Sequence, residues 1–320
     1  MSSNQKVIVY KFSSDIAKKL CDLSVLDNYH GAFALIEDWV VILFAVIMAK
    51  YCFYLYPLSL IIIGSRQRAL STIMHDSAHG TIAKNKTLNL MLGTIFSGYW
   101  LFQGLMRYKD THVKKHHAFL GDRKLDPDFI FYIESGLYDP DLNAKKILWR
   151  HVVATLLLFR APGYLVYLVK NRISSASSYP LEFICMSFAW SMMFIIANHY
   201  NFIDLIVLYW IVPYLTTHII IGYFIEIAEH YPFLGKSNEI IHLSRNRLSH
   251  WLEGLLFSIH NENYHLVHHL RPRIPFWNMV EAHKIMMQDY NYSLVNKKFG
   301  GIFVSSNNVN SLFSELIRVA

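Results

Sequence analysis

The sequence predicts an all-α integral membrane protein, with four transmembrane helices in two hairpins and a helical cap on one side. Three observations predict it. Hydrophobic residues make up 53% of the 320 and the mean hydropathy is positive, more apolar than an ordinary soluble domain. Four apolar runs, near residues 35–50, 54–74, 181–197 and 203–227, pair around short turns. The histidines that fall in close-spaced clusters all lie at one end of those runs.

Residues 1–34 are polar and mixed, and they read as an N-terminal segment beside the membrane; Met1 to Phe12 has no apolar core of a signal peptide. The apolar stretch Leu35 to Ile63 exceeds the roughly 20 residues that one span needs, and Lys50 and Pro57 divide it into a hairpin. The second helix runs to His75 and carries Arg66, Gln67 and Arg68. Arg66 sits about 14 Å along the helix from His75; at that depth Arg66 and Arg68 either line a substrate tunnel or snorkel to the interface.

Leu88 to Met106 is apolar but carries Gly93, Gly98 and Gly104, which suggests an interfacial or re-entrant segment. Residues 121–143 are acidic, with Pro127 and Pro140, and read as a loop. Residues 147–169 are apolar but broken by Arg150, His151, Arg160 and Pro162, which suits the membrane surface. The run Ser174 to Ser178 reads as a linker, and Asn198 to Asn201 as the turn of the second hairpin. Residues 240–260 look amphipathic, and the polar stretch 291–320 has room for one short helix. No linker separates two cores, so the expected organisation is a cytosolic segment 1–34, one membrane domain over 35–285 and a cytosolic tail 286–320.

Two hairpins place an even number of crossings between the histidine clusters, so all face one compartment. That side holds nearly all Lys and Arg, and the far-side turns offer only Lys50. The positive-inside rule makes it the cytosol, with both termini there. The same rule accounts for the net charge of +7 without nucleic-acid binding. Cys21, Cys52 and Cys185 are scattered and odd in number, which excludes a disulfide framework and a thiolate metal site.

The clusters are His75-Asp-Ser-Ala-His79, His112-Val-Lys-Lys-His116-His117 and His265-Leu-Val-His268-His269. Residues four apart on a helix share a face, so His112 and His116 can reach one ion, while His117 turns toward a second ion or another side of the first. With 17 histidines in the chain, one such triplet is expected by chance on the order of 0.05 times; two triplets and a further pair form a metal site. His230 ends the last long helix on the same side and adds a ligand. Glu226, one turn earlier, is placed to ligate, to bind through water, or to orient His230. Asp76 is placed to orient a neighbouring imidazole, and Glu229 to do so or to face solvent. Asn261 is placed to hold a water on the metal or to cap a helix. His218, deep in the last span, lines a tunnel or is a hydrogen-bonded core residue. His199 lies on the far side, and His30, His151, His242, His250 and His283 read as interfacial.

Nine imidazoles exceed the coordination of one ion, so two are expected. Nitrogen sites suit zinc, iron or copper. A site where apolar helices end suits a hydrocarbon substrate, whose oxidation needs O2 and a redox metal, and this favours iron.

The chain resembles the membrane fatty-acid desaturase and hydroxylase family, the histidine-box non-haem di-iron enzymes, over roughly residues 35–285. The three clusters carry the resemblance. Gly121-Asp122 with Asp126-Pro127-Asp128, Ala228-Glu229-His230, and Asn263-Tyr264-His265 leading to Arg271-Pro272-Arg273-Ile274-Pro275-Phe276-Trp277 support it. It implies four transmembrane helices, a cytosolic cap, two irons on histidines, and electrons from a separate cytochrome b5 or ferredoxin with its reductase, since the chain has no room for a fused carrier. Where related acyl desaturases have an iron-binding asparagine, this chain has Glu226. The expected activity is O2-dependent desaturation of a fatty-acyl chain. The alternatives are hydroxylation or ketolation of an alkyl, sphingoid or carotenoid substrate on the same centre, and a membrane metal transporter. Arg66, Gln67 and Arg68 also leave room for a polar substrate.

Overall fold

In the computed structural model the described residues are 7–170, 176–306 and 308–318. Ser174 and Ser175 of the expected linker lie outside them. The described residues are helical, with only isolated bridges between Ile8 and Glu239 and between Ser249 and Ser305. The chain divides into two compact units: Met1–Val25, Asp110–Phe159 and Phe224–Ala320 form one, Leu26–Lys109 and Arg160–Tyr223 the other.

Six elements carry the argument: α1 His30–Tyr51, α2 Tyr56–His79, α3 Lys109–His116, α4 Pro180–His199, α5 Thr217–His230 and α6 His265–Leu270. Among the described residues three helical stretches are long and apolar enough to cross a membrane: α1, α4, and the run Ile203–His230 that ends in α5. A fourth is added if Ala144–Leu156 and Ala161–Leu168, separated by a short break, count as one. The expected span at 54–74 forms the continuous helix α2, but α2 is not among these candidates; Arg66, Gln67, Arg68, His75, Asp76 and His79 make it too polar.

In the second unit a short 3-10 turn, Phe53–Leu55, joins α1 to α2. The two helices approach through small residues: Ala45 and Ala49 are buried, and Ser59 Oγ donates to the Ala45 carbonyl at 2.9 Å. Helix Lys86–Gly93 lies against the end of α2, where a Cβ on Gly93 would meet Ser77 Oγ at 2.1 Å. The expected re-entrant segment is that helix followed by irregular backbone around a 3-10 turn at Gly98–Leu101. Its carbonyls must find donors in apolar surroundings. Trp190 Nε1 donates to Tyr99, Trp210 Nε1 to Trp100 and Tyr214 Oη to Leu101, at 2.8, 2.8 and 2.9 Å. Phe102 stacks on Trp190 with ring centroids 4.4 Å apart. Between Ile203 and α5 the helix is interrupted by a π-turn and by Pro213, which lacks an N–H to continue the ladder.

In the first unit short helices surround a buried polar segment. The stretch expected to be amphipathic at 240–260 is mostly not helical. It begins with a 3-10 turn at Ile240–His242 and ends with helix Trp251–Phe257. Between them Ser244, Arg245, Asn246 and Arg247 run through the interior, all buried. Sequence periodicity misleads here because Arg245, Asn246 and Arg247 find partners inside the unit rather than in water. Glu253 accepts the backbone N–H groups of Ile302, Phe303 and Val304 at 2.7–2.8 Å, fastening the C-terminal stretch. That stretch ends in the expected short helix, Leu312–Arg318.

Candidate metal centre

The second histidine cluster lies in α3, which is wound as a π-helix. Its hydrogen bonds run from residue i to i+5, and His117 N continues the pattern to the His112 carbonyl at 2.9 Å. The wider winding carries His117 back toward the face of His112, so the rings reach one another with Nε2 atoms 3.2 Å apart. On an α-helix, as expected from the spacing, His117 would turn away. Lys114 and Lys115 are exposed, and Lys114 pairs with Asp110 at 2.7 Å.

The third cluster forms α6. All six of its residues are buried. Its N-terminal N–H groups need acceptors, and Asn246 Oδ1 receives them from Leu266 and Val267 at 3.0 and 3.3 Å. His265 and His269, four apart, bring their Nε2 atoms to 3.0 Å. His230 at the end of α5 places its Nε2 2.9 Å from that of His265. His268 turns the other way, its Nε2 3.1 Å from that of His117.

Within the first unit two sets result. His116, His230, His265 and His269 form one, and His112, His117 and His268 the other; in each set the potential ligand atoms lie within 4.8 Å of one another. Each adjacent doublet, His116-His117 and His268-His269, sends one ring to each set. Two nitrogens about 2.1 Å from one ion and at right angles lie about 3.0 Å apart, which is the spacing found. His112, His116 and Asp128 make a further grouping. In the second unit the end of α2 brings His75 and His79 together, ring centroids 4.9 Å apart.

Outer partners fix the rings. His116 Nδ1 is 2.9 Å from Asp126 Oδ1 and 3.3 Å from Asp128 Oδ2. Asp126 is fully buried; it caps the helix Pro127–Glu134 and also accepts from Gly121 N at 2.9 Å. His230 Nδ1 donates to the Leu243 carbonyl at 3.0 Å. His265 Nδ1 lies 3.5 Å from Glu229 Oε1, which Arg247 Nη2 holds at 3.2 Å. In the second unit His75 Nδ1 is 2.8 Å from Asp76 Oδ1. A partner on Nδ1 leaves the Nε2 lone pair for a metal.

Burial pushes the His269 imidazole well below its usual range, and the neighbouring His265, His230, His116 and His268 push it the same way. Its Nδ1 is buried without a partner. Crowded ring nitrogens that converge in buried surroundings fit cations as partners.

Other predicted site residues stand as follows. Glu226 belongs to none of these groupings; its backbone carbonyl accepts from Tyr132 Oη at 2.9 Å. Asn261 has a left-handed backbone (φ 57°), and its side chain donates to the Phe276 carbonyl at 3.0 Å; the residue before α6 is Tyr264. Arg66 reaches Asp38 and Glu37 on α1, both at 3.0 Å, and Asp38 is fully buried. His218 is buried and stacked on Tyr214, centroids 5.1 Å apart. Arg68 Nη1 is 4.0 Å from where a Cβ on Gly222 would stand. His151, expected at an interface, is fully buried. Sequence reasoning assigned no site role to Asp126, Asp128, Leu243 or Arg247. Asp126-Pro127 carried a signal, since an acidic cap before proline starts a helix; Leu243 acts through its backbone and carried none.

Residues 51–298 match the family model described as fatty acid desaturase. The chain is 40% identical over 308 residues to the dihydrorhizobitoxine desaturase of Bradyrhizobium elkanii, covering 92% of this chain and 85% of that one. It is 24% identical to the chloroplastic omega-6 fatty acid desaturase of Arabidopsis thaliana, over 76% of this chain and 56% of that one. It is 22% identical to a fatty acid desaturase of Bacillus subtilis, over 72% and 68%. The chain is an oxidoreductase and belongs to the fatty acid desaturase family.

Proposed function

We propose that this protein is an iron- and O2-dependent membrane desaturase. In this reading His116, His230, His265 and His269 hold one iron, and His112, His117 and His268 hold the other; on the spacing of the sequence alone, His75 and His79 are proposed as further ligands. The observation that carries it is the convergence of ring nitrogens into two sets inside one unit. Bound iron, with O2 and electrons from a separate cytochrome b5 or ferredoxin and its reductase, would supply the oxidant that removes hydrogen from two adjacent carbons. The chain's own residues do the positioning. Asp126, the Leu243 carbonyl and Glu229 each take an Nδ1 and aim the opposite nitrogen inward. Burial of His116, His230, His265 and His269 keeps water from that set, and it holds His269 below the usual imidazole range, which favours the neutral form that ligation requires. We place the histidine clusters and both termini in the cytosol, on the charge distribution of the loops.

For the substrate, the 40% identity over nearly the whole chain supports a compound akin to the one for which the Bradyrhizobium enzyme is named. The family model and the omega-6 relatives support a second reading, a fatty-acyl chain. Cells with and without the protein, and with a His116→Ala control, separate the two by mass profiling of both soluble compounds and lipids. The first reading expects loss of two hydrogens in a soluble compound, the second in a lipid, and both expect the change to vanish in the control. A product that gains oxygen would replace desaturation with hydroxylation. Purified protein that binds no iron would end the proposal.

A further inference from the structure

Between α5 and α6 the run Ser244 to Arg247 is buried and polar, and two of its four residues are arginines. Arg247 is fully buried. Its Nη2 donates to Glu229 Oε1 at 3.2 Å and lies 3.9 Å from Glu262 Oε1, and its Nη1 donates to the Phe257 carbonyl. The same Glu229 oxygen faces His265 Nδ1. The backbone is bracketed as well: Arg247 N donates to the Asn263 carbonyl at 2.8 Å, and Asn263 Nδ2 returns to the Arg247 carbonyl at 3.1 Å. This fixes the chain just before His265.

We propose that Arg247 and Glu229 form a positioning pair that sets the tautomer and orientation of His265, and thereby the affinity of the ion held by His116, His230, His265 and His269. The inference rests on the two-ion reading given above. One oxygen, Glu229 Oε1, stands between Arg247 Nη2 and His265 Nδ1, so whatever fixes that oxygen fixes the acceptor that the ring faces. A carboxylate this buried stays charged only with a cation beside it. Arg247 is that cation, and its planar fork holds the oxygen in place where a lysine would swing. With the proton fixed on Nδ1, His265 Nε2 points its lone pair at the position that His230 and His269 also face, 2.9 and 3.0 Å away. Breaking such a buried pair by removing one charge leaves the other uncompensated, so the pair acts as one device.

The test is metal binding by the full-length protein in detergent, stripped of metal and titrated with Co2+. The d–d absorption and bound-metal analysis are read beside the thermal midpoint. Wild type is expected to bind two ions per chain. Glu229→Gln keeps the shape and removes the charge; it is expected to bind one of the two about 10–100-fold more weakly and to change its visible spectrum. Arg247→Gln is expected to weaken the same ion, and Arg247→Lys to recover part of the affinity. A purely structural role would lower the thermal midpoint and leave affinity and spectrum of the folded fraction unchanged, and that result overturns the inference. Wild-type protein that binds no Co2+ would overturn the two-ion reading and this inference together; two ions in wild type and two unweakened ions in Glu229→Gln overturn this inference alone.

Discussion

His116 and His117 are neighbours in the chain, yet they turn to different sets of imidazoles. At this scale the chemistry depends on what holds each ring. On the di-iron reading, His116→Ala is expected to lower the iron content from two per chain to one and product formation by more than about 100-fold, since loss of an outer partner alone costs 10–100-fold; iron analysis and turnover check it. Asp126→Asn keeps the helix cap but weakens the acceptor at His116 Nδ1. Iron affinity is expected to fall about 10–100-fold with little change in the thermal midpoint, and a variant that binds iron as wild type does would contradict the role given to Asp126. The nitrogens and their spacing in the chain were legible, because two histidine triplets at ligand spacing are rare by accident. Asp126, the Leu243 carbonyl and the Arg247–Glu229 pair were not, because ordinary polar residues gain a role only from what they touch.

At the scale of the element, winding decides which residues share a face. The π-winding of α3 unites His112 with His117, and no periodicity argument built on 3.6 residues per turn would do so. Close approach decides packing. A Cβ on Gly64 in α2 would stand 2.1 Å from Thr217 Oγ1 and 2.7 Å from the backbone nitrogen of His218, and backbone cannot move aside cheaply. Gly64→Ala is expected to cost about 1–3 kcal/mol, read as a lower midpoint of thermal unfolding in detergent. The long apolar helices were legible from composition. The polar interior run Ser244 to Arg247 was misread as one side of an amphipathic stretch.

For the whole molecule, stability in acid is a test that does not involve the clustered histidines. Burial lowers His283 to a pKa of about 4, and its Nδ1 is 2.8 Å from Tyr292 Oη. The unfolded chain binds this proton near the ordinary value of 6.5 and the folded chain resists it down to about 4. The contribution is therefore complete above pH 6.5 and is lost as the pH falls through that window. Thermal midpoints at pH 7 and pH 5 are expected to differ less in His283→Gln than in wild type; an equal difference would place the acid sensitivity elsewhere.

The sequence by itself determined the class of the protein: an apolar helical chain with eight histidines at ligand spacing, which suffices because burial and metal ligation both depend on residue type and local periodicity. Only the tertiary structure decided how those histidines divide in the first unit, and which carboxylates and carbonyls hold them. That division depends on a π-turn, on a buried polar segment and on contacts between residues far apart in the chain, none of which leaves a local pattern to read.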